Sequence, residues 1–302
     1  MTNYGLFVGL VTLDLIYLAQ SLPKNNQKIV ATDYIVAAGG PATNAAIAFS
    51  HLGSTDTTQN FSTLLGIVGS HPLTQLIRKD LQKYQVAIND LDSTTNNPPP
   101  VSSIIVTQAS GERAVVSINA VKTQADRETI PPEILQNIDI VLIDGHQMAV
   151  GIEIAQMAKA KNIPIVIDGG SWKAGFDNLL PLVDYAICSA NFYPPNCQTQ
   201  EDVFAYLSQI GIPHIAITHG EKPIQYLTHL FPCKREELEE GKTGVVDVPK
   251  TQAIDTLGAG DIFHGAFCHY ILRENFIDAL ASAAKIAAFS CQFFGTRRWM
   301  ES

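Results

Sequence analysis

Seven residues, Asp255 to Asp261, read DTLGAGD and carry the clearest chemical pattern in the chain. An apolar series at helical spacing follows them, and glycines at a helix start allow a tight turn and close approach to a ligand. The first amides of a helix have no partners inside it, so Gly258, Ala259 and Gly260 form a candidate anion hole. A phosphoryl group held there would lie beside Asp261. The pattern predicts phosphoryl transfer with Asp261 as general base.

Spacing excludes two other nucleotide-binding motifs. A dinucleotide-binding GxGxxG would need glycine at position 263, where Phe263 stands. A P-loop ending in Lys242-Thr243 would need glycine at position 236, where Glu236 stands. The remaining alternative is that Asp261 only stabilises the helix dipole and the glycines serve only the turn. The full seven-residue string is more specific than that alternative requires.

The composition excludes several classes of partner. The formal net charge of −9 leaves no excess of Lys or Arg for nucleic acid, and it argues against anionic membranes. The apolar run from Leu6 to Ala19 lacks a basic leader and contains Asp14, so it predicts a buried strand and not a signal peptide. Five cysteines without a CxxC pair predict a reduced, cytoplasmic setting. No spacing of metal-ligating side chains appears, and we predict no protein-held metal site.

Several apolar runs predict buried parallel strands, because they lack polar alternation. They are Leu6–Val11, Ile138–Ile143, Ile163–Ile167, Tyr185–Cys188 and Ile215–Thr218. Stretches of helical length lie between them, for example residues 151–161, which have one mainly apolar face. Strands that alternate with helices predict βαβ units and a layered α/β core.

Two further segments have strand character of another kind. Residues 29–36 form one, and residues 102–116 read as a hairpin with its turn at Ser110-Gly111. Between them, the turn-rich residues 93–100 cannot lie inside a helix or a central strand. The two segments form either a small separate sheet or an antiparallel edge of the main sheet, and the sequence leaves both open.

Three strings together resemble the ribokinase-like carbohydrate kinases of the PfkB family. DTLGAGD is similar to the C-terminal signature of that family, and residues 39–46, GGPATNAA, resemble its N-terminal GG-x-x-x-N segment. Residues 9–14 resemble its first strand, which ends in a substrate-binding aspartate. Order and spacing match along nearly the whole chain, so the chain is identified as a member. Among the branches, the strings look most like ketohexokinase.

The resemblance implies a Rossmann-type α/β core with a small β-sheet lid over the sugar. Residues 1–302 would form a single kinase domain, with lid segments near 12–38 and 98–120. The family positions that hold sugar hydroxyls correspond here to Asp14, Gly39, Gly40 and Asn44. Arg113 follows the predicted lid turn; it either reaches the substrate or the phosphates or is a solvated lid residue.

The nucleotide side departs from the family pattern. Thr218 and Gly220 match the start of the T-x-G-x-x-G phosphate loop, whose last glycine is replaced by Pro223. The N-x-x-E motif should fall near Asn191, and its glutamate is missing. Mg2+ is therefore expected on the phosphates of ATP and on waters. A monovalent cation near Asp255 and a homodimer through the lid are further expectations of the resemblance.

The predicted function is ATP-dependent phosphorylation of a hydroxymethyl group on a small sugar. A ketohexose such as fructose is the first candidate, although Pro41 stands where the ketohexokinase branch has an asparagine. A nucleoside kinase of the adenosine type is the alternative enzyme. A regulator that binds sugar and nucleotide without turnover is the alternative from another class.

Overall fold

The computed structural model describes residues 2–55, 58–108, 111–118, 123–229 and 241–302. The strands are, in chain order, β1 (Thr2–Val8), β2 (Thr12–Ala19), β3 (Asp33–Gly39), β4 (Gln59–Gly66), β5 (Val86–Asp90), β6 (Val101–Thr107), β7 (Arg113–Ser117), β8 (Ile140–Ile143), β9 (Ile165–Gly169), β10 (Tyr185–Ser189), β11 (His214–His219), β12 (Lys222–Thr228) and β13 (Lys242–Val246). The helices are α1 (Pro41–Thr55), α2 (Thr74–Lys83), α3 (Met148–Ala160), α4 (Phe176–Leu179), α5 (Gln200–Ile210), α6 (Ala259–Ile271) and α7 (Phe276–Ser290).

The larger sheet has the strand order β13-β12-β11-β10-β9-β8-β1-β4-β5. Its strands from β11 to β5 are parallel, and β12 and β13 add an antiparallel edge. Helices cover both faces: Phe7 packs in a core with α1, α6 and α7, whereas Leu6 and Val8 pack in a core with α3 and α5. Burial on both faces explains why these strands are apolar without alternation. The predicted layered α/β core is confirmed.

The predicted single strand from Leu6 to Ala19 is wrong, because the chain changes sheets within it. β1 ends at Val8 and β2 starts at Thr12, in the other sheet. A Cβ atom at Gly9 would lie 2.0 Å from Asp144 Oδ1. Only glycine, which has no Cβ atom, therefore fits where the chain passes this carboxylate. Asp14 therefore lies inside β2 and not at the end of the first strand.

A separate four-stranded sheet, called here the small sheet, has the order β3-β2-β6-β7. It decides between the two arrangements that the sequence left open, in favour of a sheet distinct from the larger one. Its inner face contributes Ile16, Ile104 and Val106 to a core that also contains Phe294. β3 starts only at Asp33, later than predicted, and Val30 before it is exposed. That residues 1–302 form a single domain, with lid segments near 12–38 and 98–120, stays a prediction.

Some sequence predictions fall outside the described residues. Cys233, the charged residues 236–240 and the Ser110 half of the predicted turn are among them. Within the described ranges, no helix combines the length and the apolar character that crossing a bilayer requires.

Candidate active site

The start of α6 has the geometry of an anion site. Gly258 caps the helix with φ of 70°, a left-handed conformation that glycine adopts without strain. The first helical hydrogen bond runs from the Ile262 amide to the Gly258 carbonyl, at 2.8 Å. The amides of Gly260 and Asp261 precede that bond and point out of the helix end. The amide of Ala259 instead makes a turn bond of 3.3 Å to Thr256, so it contributes less to the predicted anion hole.

Gly260 faces open space. A Cβ atom at this position would meet no heavy atom within 4 Å, whereas one at Gly258 would lie 2.7 Å from Thr296 Cγ2. The two glycines of the motif therefore serve different purposes. Gly258 allows the turn, and Gly260 leaves room beside Asp261 for a ligand.

Separate substitutions at these two glycines should have different effects, one on catalysis and the other on stability. Gly260→Val should lower kcat by about tenfold or more, because its side chain would occupy the space of a phosphoryl group held by oriented amides. Gly258→Ala should instead lower the free energy of unfolding by about 1–2 kcal/mol, the cost of a left-handed non-glycine residue. Steady-state kinetics and urea denaturation of both variants check this. Normal ATP turnover by Gly260→Val would show that no phosphate binds there.

Asp261 contacts Asn44, another residue predicted for the site. Asn44 Nδ2 donates a hydrogen bond of 2.7 Å to Asp261 Oδ2. Asn44 is buried in the first turn of α1, and its own amide bonds to the carbonyl of Gly40 at 2.9 Å. The structure thus joins the N-terminal and C-terminal motifs, 217 residues apart, through a single hydrogen bond.

Burial, together with the negative charge of Asp168, raises the pKa of Asp261 to about 7, against the hydrogen bond from Asn44 and the charge of His264. A base with a pKa near the working pH combines ionisation with basicity, which suits proton abstraction. Asp168 was not among the predicted site residues; it lies in β9, near the carboxyl end of a predicted parallel strand. Its polar type at that edge was the available signal, because ligands bind there in open α/β sheets.

His264 lies one turn after Asp261 and is buried. Its Nδ1 is 2.7 Å from the Gly260 carbonyl oxygen, and its Nε2 is 3.2 Å from the Ile187 carbonyl oxygen. Asp168 Oδ2 lies 3.6 Å from the same Nδ1. Both ring nitrogens therefore face backbone carbonyl oxygens, one in α6 and one in β10, which fix the orientation of the imidazole.

Of the residues predicted to bind the sugar, Gly39 lies directly beside Asp14. This buried carboxylate accepts a hydrogen bond of 2.8 Å from Thr12, and burial raises its pKa. A Cβ atom at Gly39 would lie 2.0 Å from Asp14 Oδ2, and one at Gly40 would lie 2.2 Å from the Leu10 carbonyl oxygen. Gly39 therefore allows β3 to pass close to Asp14 of β2, and Gly40 allows the chain after β3 to pass close to the loop before β2. Gly40 has φ of 104°, which also favours glycine.

Arg113 connects the small sheet to the DTLGAGD loop. Its exposed side chain donates from Nη1 to Thr256 Oγ1 at 3.0 Å. Asp255 also holds this loop: it accepts from the amides of Leu257 and Gly295, both at 2.8 Å. Arg113 therefore contacts the motif through Thr256, and a role toward the substrate or the phosphates stays a prediction.

Thr218 and Gly220 lie at the end of β11, two strands away from Asp168 in the larger sheet. Thr218 Oγ1 is 3.4 Å from the Cys188 carbonyl oxygen, and Gly220 is exposed with φ of 64°. Asn191, near the altered N-x-x-E position, donates its amide to Ser189 Oγ. A nucleotide-binding role for Thr218 and Gly220 stays a prediction.

Comparison with known proteins covers nearly the whole chain. The family model described as pfkB family carbohydrate kinase matches residues 3–302. The ribokinase of Bacillus subtilis is 24% identical over 311 residues, which cover 97% of this chain and 94% of that protein. Among solved structures, ribokinase from Giardia lamblia superposes with a TM-score of 0.77 at 19% identity, covering 99% of this chain and 98% of that one. Arabidopsis thaliana ribokinase, solved with ribose and ATP, gives a TM-score of 0.70 at 19% identity and covers 100% of both chains.

Proposed function

Since this chain belongs to the pfkB family of carbohydrate kinases, we propose that it transfers the terminal phosphoryl group of ATP to the hydroxymethyl group of a furanose sugar, with Asp261 as general base. One observation carries the proposal. A carboxylate whose pKa is about 7 lies beside the open N-terminal end of α6.

The chemistry follows from this arrangement. The sugar hydroxyl oxygen attacks the terminal phosphorus, the bond from phosphorus to the bridging oxygen breaks, and ADP leaves with that electron pair. The hydroxyl proton passes to the Asp261 carboxylate. The amides of Gly260 and Asp261 hold the oxygens of the moving phosphoryl group, whose charge the helix end favours.

We propose that the acceptor is bound by Asp14 and Asn44 beneath the small sheet, with Gly39 and Gly40 lining the approach. A buried carboxylate and a buried amide suit directional hydrogen bonds to vicinal hydroxyls. The relatives named above are ribokinases, so a pentose such as ribose replaces the ketohexose as first candidate. Their names give no support to the ketohexokinase branch in particular.

Mg2+ is the expected companion of ATP, and the residues fit it only in part. In the parts of the chain that the structure describes, no group of three or more His, Cys, Asp or Glu side chains could hold a metal. The ion would therefore arrive on the ATP phosphates and keep several waters, as Mg2+ usually does. When bound, it supplies positive charge that offsets the phosphate charge.

A monovalent cation near Asp255 is also proposed. Both carboxylate oxygens of Asp255 already accept backbone amides, so a cation there would depend on other oxygens. A cytoplasmic location likewise stays a prediction of the cysteine pattern.

The decisive experiment is an ATP-consumption assay over ribose, fructose, an acidic sugar and adenosine. We expect the highest kcat/KM with a sugar. Preference for fructose would favour a ketohexose as the substrate. Preference for adenosine would contradict the sugar-kinase proposal and favour a nucleoside kinase. Binding of sugar and nucleotide without turnover across the panel would favour the non-catalytic regulator.

The outer face of the small sheet supports a homodimer through this sheet. Tyr17 and Tyr34 are cross-strand partners on that face, and Tyr34 and Val116 are 67% and 76% exposed. An apolar sheet face of this kind is typical of an interface. Tyr34→Lys should shift the protein from dimer to monomer in light scattering, while Tyr193→Lys, at a partly exposed loop tyrosine, should not. A wild-type protein that is monomeric at all concentrations would exclude this interface.

A further inference from the structure

The C-terminal segment brings a buried cation, Arg297, into contact with the active site. Its side chain is only 6% exposed, whereas that of the neighbouring Arg298 is 42% exposed. The turn at Gly295, with φ of 76°, directs the chain inward just before it. A buried guanidinium is expensive unless it is fully hydrogen-bonded, so its partners show why it is there.

Arg297 has partners on all three of its donor nitrogens. Nη1 donates to Asn44 Oδ1 and to Thr296 Oγ1, both at 2.9 Å. Nη2 donates to the Ala38 carbonyl oxygen at 2.6 Å and to Asp80 Oδ2 at 3.2 Å. Nε is 3.3 Å from the same Asp80 oxygen. The guanidinium thus joins the helix that carries Asn44, the end of β3 and α2.

The contact with Asn44 determines how its amide is oriented. A guanidinium can only donate, so the amide oxygen must face Arg297 and the amide NH2 group must face Asp261. The flipped amide would place NH2 against the guanidinium and oxygen against the carboxylate, which is unfavourable at both ends. The chemistry of both neighbours therefore assigns the orientation of the Asn44 amide.

We propose that Arg297 is a positioning residue for the catalytic base: it holds Asn44 in the amide orientation that donates to Asp261. The inference rests on the proposed function, because it assumes that Asp261 is the base. Arg297 acts through Asn44 and has no place in the chemistry itself.

The same cluster holds the junction between the small sheet and the core. Ala38 donates its amide to Asp80 Oδ2 at 2.9 Å, while its carbonyl accepts from Arg297. Ala38 directly precedes Gly39 and Gly40, where β3 passes Asp14. The orientation of Asn44 is therefore coupled to the position of the strand that lines the proposed sugar site.

Other groups also act on Asp261 and must be separated from Arg297 in any test. Asp168 of β9 and Asp14 of β2 disfavour its ionised form, and His264 of α6 favours it. The hydrogen bond from Asn44 favours the ionised form as well. Losing that bond should move the acid limb of the kcat profile to higher pH, because more carboxylate is then protonated at a given pH.

The test compares Arg297→Met with its matched control, Arg298→Met. Arg297→Met should lower kcat roughly 10–100-fold, the size of effect expected when a hydrogen bond to a charged group is lost, and should move the acid limb to higher pH. Arg298→Met removes an exposed arginine paired with Asp33 at 2.7 Å and should leave both quantities unchanged. Because Arg297→Met leaves Asp80 without its cation, the variant Asp80→Asn/Arg297→Met, which removes both charges, is measured beside it to keep a folded protein.

A cycle with Asn44→Ala decides whether the effect passes through Asn44. In that background, Arg297→Met should produce no further shift of the acid limb. A shift that persists there, or a wild-type acid limb in both folded Arg297 variants, overturns the inference. Turnover retained by Asp261→Asn would instead show that Asp261 is not the base. Failure of the proposed function is therefore distinguished from failure of the positioning role.

Discussion

Asp261→Asn is expected to lower kcat by roughly 10²–10⁴-fold, the usual contribution of a positioned general base. That loss corresponds to about 3–5 kcal/mol of transition-state stabilisation. The change is nearly isosteric, and the asparagine can still accept the hydrogen bond from Asn44 that the carboxylate accepts at 2.7 Å. It removes the group that takes the proton while leaving the packing intact, so KM for both substrates should change far less than kcat.

The chain offers a matched control for this variant at the next helix. Asp278 also lies in the first turn of a helix, and it also accepts from an asparagine side chain, Asn275 Nδ2, at 2.6 Å. Asp278 is exposed and belongs to no part of the proposed active site, so Asp278→Asn should keep kcat near the wild-type value. Near-normal turnover of Asp261→Asn, with unfolding unchanged in both variants, would remove Asp261 from the mechanism.

The pH dependence of turnover should show an acid limb near the pKa of Asp261, about 7. The base works in its ionised form, which dominates above that pKa and disappears below it. Turnover should therefore approach a tenfold fall per pH unit well below the pKa, which amounts to about 50-fold between pH 7 and pH 5. The kcat profile of the wild type, measured where the protein stays folded, checks this. A flat profile down to pH 5 would contradict a base with a raised pKa.

Asp168→Asn tests the cause of that raised pKa. Burial is its largest cause and the charge of Asp168 comes next. Without this neighbouring charge, the ionised form of Asp261 is easier to reach, so the acid limb should move to lower pH. An acid limb that stays in place would exclude the charge of Asp168 as a cause and leave burial and the charge of Asp14.

The sequence by itself determined the structural elements that depend only on residues close together in the chain. The apolar runs predicted parallel strands such as β8 and β9, because burial on both faces requires apolar residues at every position. The start of α6 was equally predictable, since a helix end needs only contiguous residues to turn and to expose its first amides. The proposed base was found for the same reason: Asp261 follows two glycines in one short string.

Only the tertiary structure decided what surrounds that base. The contact between Asn44 and Asp261 joins residues 217 positions apart, and Arg297 reaches Asn44 across 253 positions. No local pattern marks such pairs, because they depend on which faces the fold brings together. The pKa of Asp261 is of the same kind: burial and the charges of Asp168 and His264 raise or lower it, and both exist only once the chain is packed.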